Sequence, residues 1–335
     1  MLARETLEAL FKGVFVQVWE VIHPGILTTI QDRGRYGYQQ YGVSVSGAMD
    51  KFALRLANVL AGNDDGEAAL EITIVGPKLR ALRDCRIAIT GADLSPQING
   101  RPLAMWQPTE MQEGDVLSFG AARSGCRAYL AVYGGIEAPL TMGSRSTHIL
   151  SKLGGLNGRA LVKGDRLSIR NTGGSRRRPN PDFSLRREQI PSYGREWQVR
   201  VIPGPQSDYF TRQGIATFYS AEYDISPQAD RMGYRLRGPK IEHKAAADIL
   251  TDATPRGSVQ VPGDGNPIIL LTDGQTTGGY SKIGVIISPD QDRLGQARPG
   301  DKIRFRRMGV VEAQRIIQGE EERIQEIKRA SLITI

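Results

Sequence analysis

The chain has 335 residues, of which 40% are hydrophobic and 24% charged, and its formal net charge is +8. This composition is typical of a soluble globular protein, and the length predicts about two domains of roughly 150 residues each. No apolar run approaches the ~20 residues that span a bilayer, and the N-terminus lacks the long apolar core of a signal peptide. We therefore expect a cytoplasmic protein that is not bound to a membrane.

The positive charge is concentrated in one segment. Between Asn171 and Arg200 lie seven arginines and three acidic residues, which accounts for half of the excess charge. Because glycine, serine and proline are also frequent here, we predict a basic interdomain linker over residues 172–196. Elsewhere basic and acidic residues are interleaved, and no basic stripe carries aromatic residues, so we expect no nucleic-acid binding.

The cysteines and histidines give no sign of a metal site. Cys85 and Cys126 are isolated, and His23, His148 and His243 are scattered along the chain. Without a CxxC or histidine-rich spacing, the pattern predicts two buried thiols in a reducing compartment and no bound metal.

Hydrophobic spacing predicts mainly strands. Residues 1–12 form a helical pattern within an N-terminal extension over residues 1–13, and a strand pattern begins at Val14. A helix is predicted over residues 52–60, and a C-terminal helix over residues 309–335. Further strands are predicted over residues 69–75, 86–90, 116–119, 128–133, 166–170, 198–202, 258–261, 268–271, 283–287 and 302–306.

A short sequence pattern recurs along the chain. Residues 114–119, 164–169 and 300–305 each join a Gly-Asp turn to an alternating strand. We infer two related β-rich domains, over residues 14–171 and 197–308, that arose by duplication. Gly-Asp turns are also common in unrelated β proteins, so that simpler interpretation stays open.

The stretch from Asp273 to Tyr280 carries the strongest functional signal. It follows a predicted buried strand and combines three glycines with one glutamine and two threonines. The glycines let the backbone approach a ligand, and the side chains offer neutral donors and acceptors. The spacing is close to that of a phosphate loop, but Tyr280 stands where a lysine is required. We predict a polar binding loop.

A second polar segment runs from Ser44 to Asp50, directly before the predicted helix. Ser46 or Asp50 could cap that helix, whose N-terminus would then present free N–H groups to an anion. The alternative is an ordinary capped helix on the protein surface.

Five motifs occur in order and are recognisable together. They are Gln31-Asp32-Arg33-Gly34-Arg35, Ser46-Gly47-Ala48-Met49-Asp50, Gly143-Ser144-Arg145-Ser146-Thr147, Gln260-Val261-Pro262 and Gln275-Thr276-Thr277-Gly278-Gly279-Tyr280. With these motifs the chain resembles the family of the 5-oxoprolinase C subunit, also called the allophanate hydrolase subunit 2 or biotin-dependent carboxyltransferase family, over about residues 18–310.

The resemblance implies a fold, partners and a reaction. The fold is mainly β, with two cyclophilin-like β-barrel domains, peripheral helices and a C-terminal helix. The partners are a sister B subunit of related fold and a TIM-barrel-like A subunit. Such a complex hydrolyses 5-oxo-L-proline to L-glutamate with ATP, which we expect at a site shared with the partner subunits. The substrate would be a small amide or lactam.

Two other functions are compatible with the same resemblance. The first is biotin-dependent carboxyl transfer to a urea-like acceptor, which needs biotin on a separate carrier because the chain has no Met-Lys-Met segment. The second is not enzymatic: the chain would antagonise an inhibitor of a sensor kinase. Ala229 stands where relatives often have serine before Asp-Arg-Met-Gly, which leaves the exact substrate open.

Three residues are candidates for catalysis. Arg145, between two serines, suits bidentate binding of a carboxylate or phosphate, but could instead form an ion pair in a surface loop. Asp273 could act as a general base or orient its loop. Arg231 could stabilise developing charge on an activated amide, or form a salt bridge with Asp230. The predicted substrate-binding residues are Met49, Asp50, Ser146, Gln260, Gln275, Thr276, Thr277, Gly278, Gly279 and Tyr280.

Overall fold

The computed structural model describes residues 15–171, 180 and 183–332, and the chain divides into two compact units. The described residues of the first unit are 15–34, 51–171, 180, 183–192 and 323–332, and those of the second are 35–50 and 193–322. The predicted helix over residues 1–12 and part of the predicted linker lie outside the described residues. The domain bounds drawn from the sequence stay a prediction.

The strands of the first unit form two sheets. In the seven-stranded sheet the order is β11-β12-β1-β4-β9-β6-β7, and in the five-stranded sheet it is β2-β3-β10-β5-β8. These strands are β1 (Phe15–His23), β2 (Leu27–Gln31), β3 (Ala69–Thr73), β4 (Lys78–Ala81), β5 (Cys85–Asp93), β6 (Gln97–Ile98), β7 (Arg101–Pro102), β8 (Pro108–Met111), β9 (Val116–Ser118), β10 (Ser124–Val132), β11 (Ile136–Glu137) and β12 (Arg166–Arg170).

The core of the first unit is apolar and draws on both sheets. Strand β1 shows how the sequence reaches it: its pairing with β12 shifts between Gln17 and Trp19. Such a bulge lets two consecutive residues turn inward, and Val18 and Trp19 are both fully buried. Helix α1 (Lys51–Ala61) packs on the five-stranded sheet, where the Thr90 hydroxyl donates to the Ala53 carbonyl oxygen at 2.7 Å.

The second unit contains a closed barrel, in the order β13-β20-β17-β18-β15-β14-β21, and a separate pair, β16 with β19. Parallel pairing of β13 with β21 completes the barrel. The strands are β13 (Glu196–Pro203), β14 (Glu222–Ile225), β15 (Gly233–Arg237), β16 (Asp248–Ala253), β17 (Ser258–Gln260), β18 (Ile268–Leu270), β19 (Thr277–Tyr280), β20 (Lys282–Ile286) and β21 (Lys302–Arg307).

Side chains along a strand point alternately to its two faces, and this alternation decides which of them fill the barrel. In β15, Tyr234 and Leu236 are buried in the core while Arg235 and Arg237 are exposed on the outer face, as the two-residue period of a strand requires. The helices of this unit are α2 (Arg212–Ser220), α3 (Ser288–Leu294) and the first part of α4 (Val310–Ala330), whose residues from Arg323 onward belong to the first unit.

The prediction of a mainly β fold with peripheral helices and a C-terminal helix is confirmed. Barrel closure is seen in the second unit, whereas the first unit is built from two sheets. The predicted strand over residues 166–170 matches β12, and the predicted helix over residues 52–60 falls within α1. The helices that were not predicted are α2 and α3, and the strands that were not predicted are β2, β4, β6, β7, β8, β11, β14, β15, β16 and β19. Among the described residues, no helix combines the length and apolar character needed to cross a membrane.

Candidate functional site

A buried ion pair begins the polar loop of the second unit. Asp273 lies just after strand β18, and its carboxylate accepts hydrogen bonds from Arg231 Nε at 2.8 Å and Nη2 at 3.1 Å. The two side chains are 7% and 8% exposed. Arg231 Nη2 also donates to the Gly47 carbonyl oxygen at 2.7 Å. The guanidinium thus connects the loop to the segment that precedes α1.

This geometry favours an orienting role for Asp273. Both of its carboxylate oxygens already accept N–H groups of Arg231, so proton abstraction would require this pair to separate. The expected pairing of Arg231 with Asp230 is wrong, because Asp230 instead accepts from the backbone N–H groups of Met232 and Gly233 at 2.8 and 3.1 Å. A short carboxylate side chain commonly closes such a turn on its own backbone.

The two polar segments that the sequence singled out lie side by side. The Ser44 hydroxyl donates to the Gly274 carbonyl oxygen at 2.7 Å, and the Ser46 N–H donates to the Thr272 carbonyl oxygen at 2.9 Å. Ser46 has a φ of 56°, a left-handed conformation that costs free energy in residues with a side chain. The surrounding hydrogen bonds hold the segment in this conformation.

Met49 and Asp50, two predicted substrate-binding residues, are 0% and 2% exposed. The Met49 sulfur accepts a hydrogen bond from the Thr272 hydroxyl. The Asp50 carboxylate accepts from Gln296 Nε2 at 2.7 Å and from the Tyr193 hydroxyl at 3.3 Å. Burial, and then the charge of Asp50, raise the pKa of Tyr193 well above its ordinary value. Met49 therefore contacts the residue directly before the loop, whereas Asp50 is buried against Gln296 and Tyr193.

The exposed part of the loop is short. Gln275 and Thr277 are exposed and Thr276 is half-buried, while their backbone is tied down by Thr254. The Thr254 hydroxyl donates to the Gln275 carbonyl oxygen at 2.6 Å, and the Thr254 N–H donates to that of Thr276 at 2.9 Å. Three neutral side chains are thus presented from a fixed backbone.

The second half of the predicted loop is a strand. Residues from Thr277 to Tyr280 form β19, which pairs antiparallel with β16. Gly278 belongs here for a steric reason, because a Cβ at this position would lie 2.6 Å from Gln260 Nε2. Gln260 is buried and its amide donates to the Tyr280 carbonyl oxygen at 3.4 Å. Gly279 also lies in β19, and the Tyr280 side chain is 40% exposed.

A lysine that the sequence did not single out anchors this strand pair. The side chain of Lys282 is 2% exposed, and its ammonium group lies 2.7 Å from the Asp252 carboxylate on β16. The hydrogen bond from Lys282 is the main reason why the pKa of Asp252 lies below its ordinary value. No local pattern could have indicated this contact, since the partners are 30 residues apart.

The first unit contains a separate polar cluster around Asp32. Its carboxylate accepts from the Ser144 hydroxyl at 2.7 Å, the Arg145 N–H at 2.6 Å and the Ser146 hydroxyl. The Gly34 N–H adds a fourth bond at 2.8 Å. Ser146, a predicted substrate-binding residue, is fully buried, and its hydroxyl donates a hydrogen bond to Asp32. The cluster fixes the loop that carries Arg145.

The Arg145 side chain forms the ion pair that was the alternative to anion binding. Its Nη2 lies 3.0 Å from Glu137 Oε2, and the side chain is 16% exposed. Arg145 Nε is buried and has no hydrogen-bond partner among the described residues. Arg145 and Ser146 belong to the first unit, whereas the other predicted site residues belong to the second. The catalytic roles of Arg145, Arg231 and Asp273 stay predictions.

The described residues of the loop do not fit the phosphates of ATP. A phosphate loop needs successive free backbone N–H groups and a lysine. Here the Gly274 N–H donates to the Leu271 carbonyl oxygen at 3.1 Å, and the following glycines belong to a paired strand. No step of a reaction is therefore assigned to ATP at this loop.

Comparison with known proteins identifies relatives along most of the chain. Residues 41–307 match the family described as carboxyltransferase domain, subdomain A and B. The chain is 36% identical to the C subunit of 5-oxoprolinase from Escherichia coli over 308 residues, which covers 92% of this chain and 97% of that protein. The corresponding protein of Haemophilus influenzae is 35% identical, with 90% of this chain and 94% of that protein covered.

A second group of relatives is much longer. The chain is 33% identical to the urea amidolyase of Lachancea kluyveri, with 95% of this chain but 18% of that protein covered. The crystal structure of the K. lactis urea amidolyase superposes with a TM-score of 0.87 at 33% identity, covering 95% of this chain and 20% of that one. The chain thus spans about a fifth of these longer relatives.

Proposed function

Since the chain belongs to the carboxyltransferase domain family, subdomains A and B, we propose that it is a subunit of an ATP-dependent 5-oxoprolinase. The complex would hydrolyse 5-oxo-L-proline to L-glutamate together with a sister B subunit of related fold and a TIM-barrel-like A subunit. One observation carries the proposal. The match to proteins named as the C subunit of 5-oxoprolinase covers 97% and 94% of their length, whereas the match to urea amidolyases covers less than a fifth.

The exposed side chains of the loop suit a small lactam. A desolvated amide needs partners for both its carbonyl oxygen and its N–H group. Gln275 supplies a donor and an acceptor, and the hydroxyls of Thr276 and Thr277 can serve as either. These residues would bind and orient the ring, while the Arg231–Asp273 pair holds the loop in place. ATP would be bound together with the partner subunits, and water adds across the C–N bond that breaks.

Carboxyl transfer is the second candidate. It is supported by the name of the matching family and by the superposition on the K. lactis urea amidolyase at a TM-score of 0.87. The same loop could hold a urea-like acceptor, because urea also presents a carbonyl oxygen and N–H groups in one plane. This function requires a biotinylated carrier.

The test is ATP-dependent release of L-glutamate from 5-oxo-L-proline by this chain copurified with the products of neighbouring genes. Each subunit is omitted in turn, and the matched control adds the purified chain back to the preparation from which it was omitted. We expect glutamate only when this chain is present. Glutamate at an unchanged rate without it would refute an obligatory role, and no glutamate from the complete folded complex would favour carboxyl transfer.

A further inference from the structure

A cavity of about 370 Å³ lies on the outer face of the barrel in the second unit. Its volume is within the usual range for small-molecule sites. Polar side chains from four parts of this unit line it: Ser226, Gln228, Arg235, Arg237, Asn266 and Tyr280. Asp264, Pro262 and Pro267 also line the cavity. The cavity is therefore polar, with an apolar strip beside the Tyr280 ring.

Two arginines give the cavity its charge. Arg235 and Arg237 are two residues apart in β15 and are exposed on the same face, so their guanidinium groups can reach one ligand. Among the described residues, neither guanidinium forms an ion pair or a hydrogen bond, although Asp224 is the cross-strand partner of Arg237. This contrasts with Arg304 on β21, which binds Glu222 at 2.9 Å.

The acid that lines the cavity is hydrogen-bonded by a nearby asparagine and also interacts electrostatically with Arg235. The Asp264 carboxylate accepts from the Asn266 N–H at 3.0 Å and from Asn266 Nδ2 at 2.7 Å. With Arg235, Arg237 and Asp264 ionised, the wall carries a net charge of about +1. Ser226 adds a buried hydroxyl that has no hydrogen-bond partner in the described part of the chain.

We propose that this cavity binds a small anion, a carboxylate or a phosphate, through the guanidinium groups of Arg235 and Arg237. Guanidinium groups bind both kinds of anion with paired, charge-assisted hydrogen bonds. A compact body on the ligand would pack against the Tyr280 ring and the two prolines. The site is separate from the exposed loop side chains Gln275, Thr276 and Thr277, none of which lines the cavity, although Tyr280 does.

Isothermal titration calorimetry on the full chain tests the site, with inorganic phosphate and acetate as separate probes, neither of which is the substrate proposed for the loop. We expect one of them to bind at one site per chain and more weakly at high salt. The R235A/R237A variant should lose at least about tenfold in affinity. R306A is the matched control, because Arg306 is also an exposed barrel arginine but does not line the cavity. Its affinity should stay within about twofold of wild type.

The two probes also distinguish the ligand. Binding of acetate would identify a carboxylate site, and binding of phosphate alone a phosphate site. The proposal is overturned if neither anion binds, if R235A/R237A binds as wild type does, or if R306A loses as much affinity. Circular dichroism and thermal melting report on folding, and the single variants R235Q and R237Q keep the test valid if the double variant unfolds.

Discussion

At the scale of single residues, the candidate site depends on polar groups that are buried and paired. Arg231 and Asp273 lie on different elements and share two hydrogen bonds. Removing two charges from water costs several kcal/mol each, and only their mutual attraction and hydrogen bonds offset it. A buried pair of this kind is therefore sensitive to the loss of either member.

The D273A variant should lower the free energy of unfolding by about 3–5 kcal/mol, because it removes one member of a buried, hydrogen-bonded ion pair. The measurement is urea denaturation followed by circular dichroism. The double variant R231M/D273L serves as the control and should be less destabilised than D273A, since it removes both charges and keeps apolar volume. Equal stability of D273A and wild type would show that the pair does not hold the loop.

At the scale of secondary-structure elements, local burial patterns explain what could be predicted. Strand β12 alternates exposed and buried residues and was predicted to the residue. Strand β16 was not predicted, because its six residues are nearly all exposed and it is defined by pairing with the distant strand β19. A pattern of hydrophobicity cannot report such pairing.

The candidate site, like the strands, was predicted only where the signal lies within a short stretch of sequence. The polar character of the stretch from Gln275 to Thr277 and the position of Asp273 between a buried strand and this stretch followed from the sequence. The pairing of Asp273 with Arg231 did not, because the two are 42 residues apart and Asp230 is the acid next to Arg231 in sequence. The burial of Met49 and Asp50 was also missed, since their partners Thr272 and Gln296 are more than 200 residues distant.

Two helical glycines should respond oppositely to alanine. In α4, a Cβ at Gly319 would meet no atom within 4 Å, so G319A should stabilise the protein by roughly 0.5–1 kcal/mol. In α2, a Cβ at Gly214 would lie 2.3 Å from the Glu242 carbonyl oxygen, so G214A should destabilise it by about 1–3 kcal/mol. Denaturation midpoints of both variants measure this. A higher midpoint for G214A would contradict the packing of α2, and a lower midpoint for G319A would contradict the open surroundings of Gly319.

At the scale of the whole molecule, the net charge is +8, but part of the positive charge of the arginine-rich segment is paired with acidic residues outside that segment. Within the arginine-rich segment, Arg200 binds Asp290 through Nε at 2.9 Å and Nη2 at 2.6 Å. Arg195 lies 3.1 Å from Asp301. Part of the positive charge therefore stabilises the second unit, whereas the cavity arginines of β15 have no such partners among the described residues.

Product identity tests the central claim most directly. The copurified complex would receive 5-oxo-L-proline in one reaction, and urea, bicarbonate and a biotinylated carrier in another, with ATP consumption and products measured in both. The proposed function predicts L-glutamate and ATP consumption with 5-oxo-L-proline, and no urea-dependent ATP consumption. Urea-dependent consumption of ATP without any glutamate from 5-oxo-L-proline would contradict it and identify a carboxyltransferase.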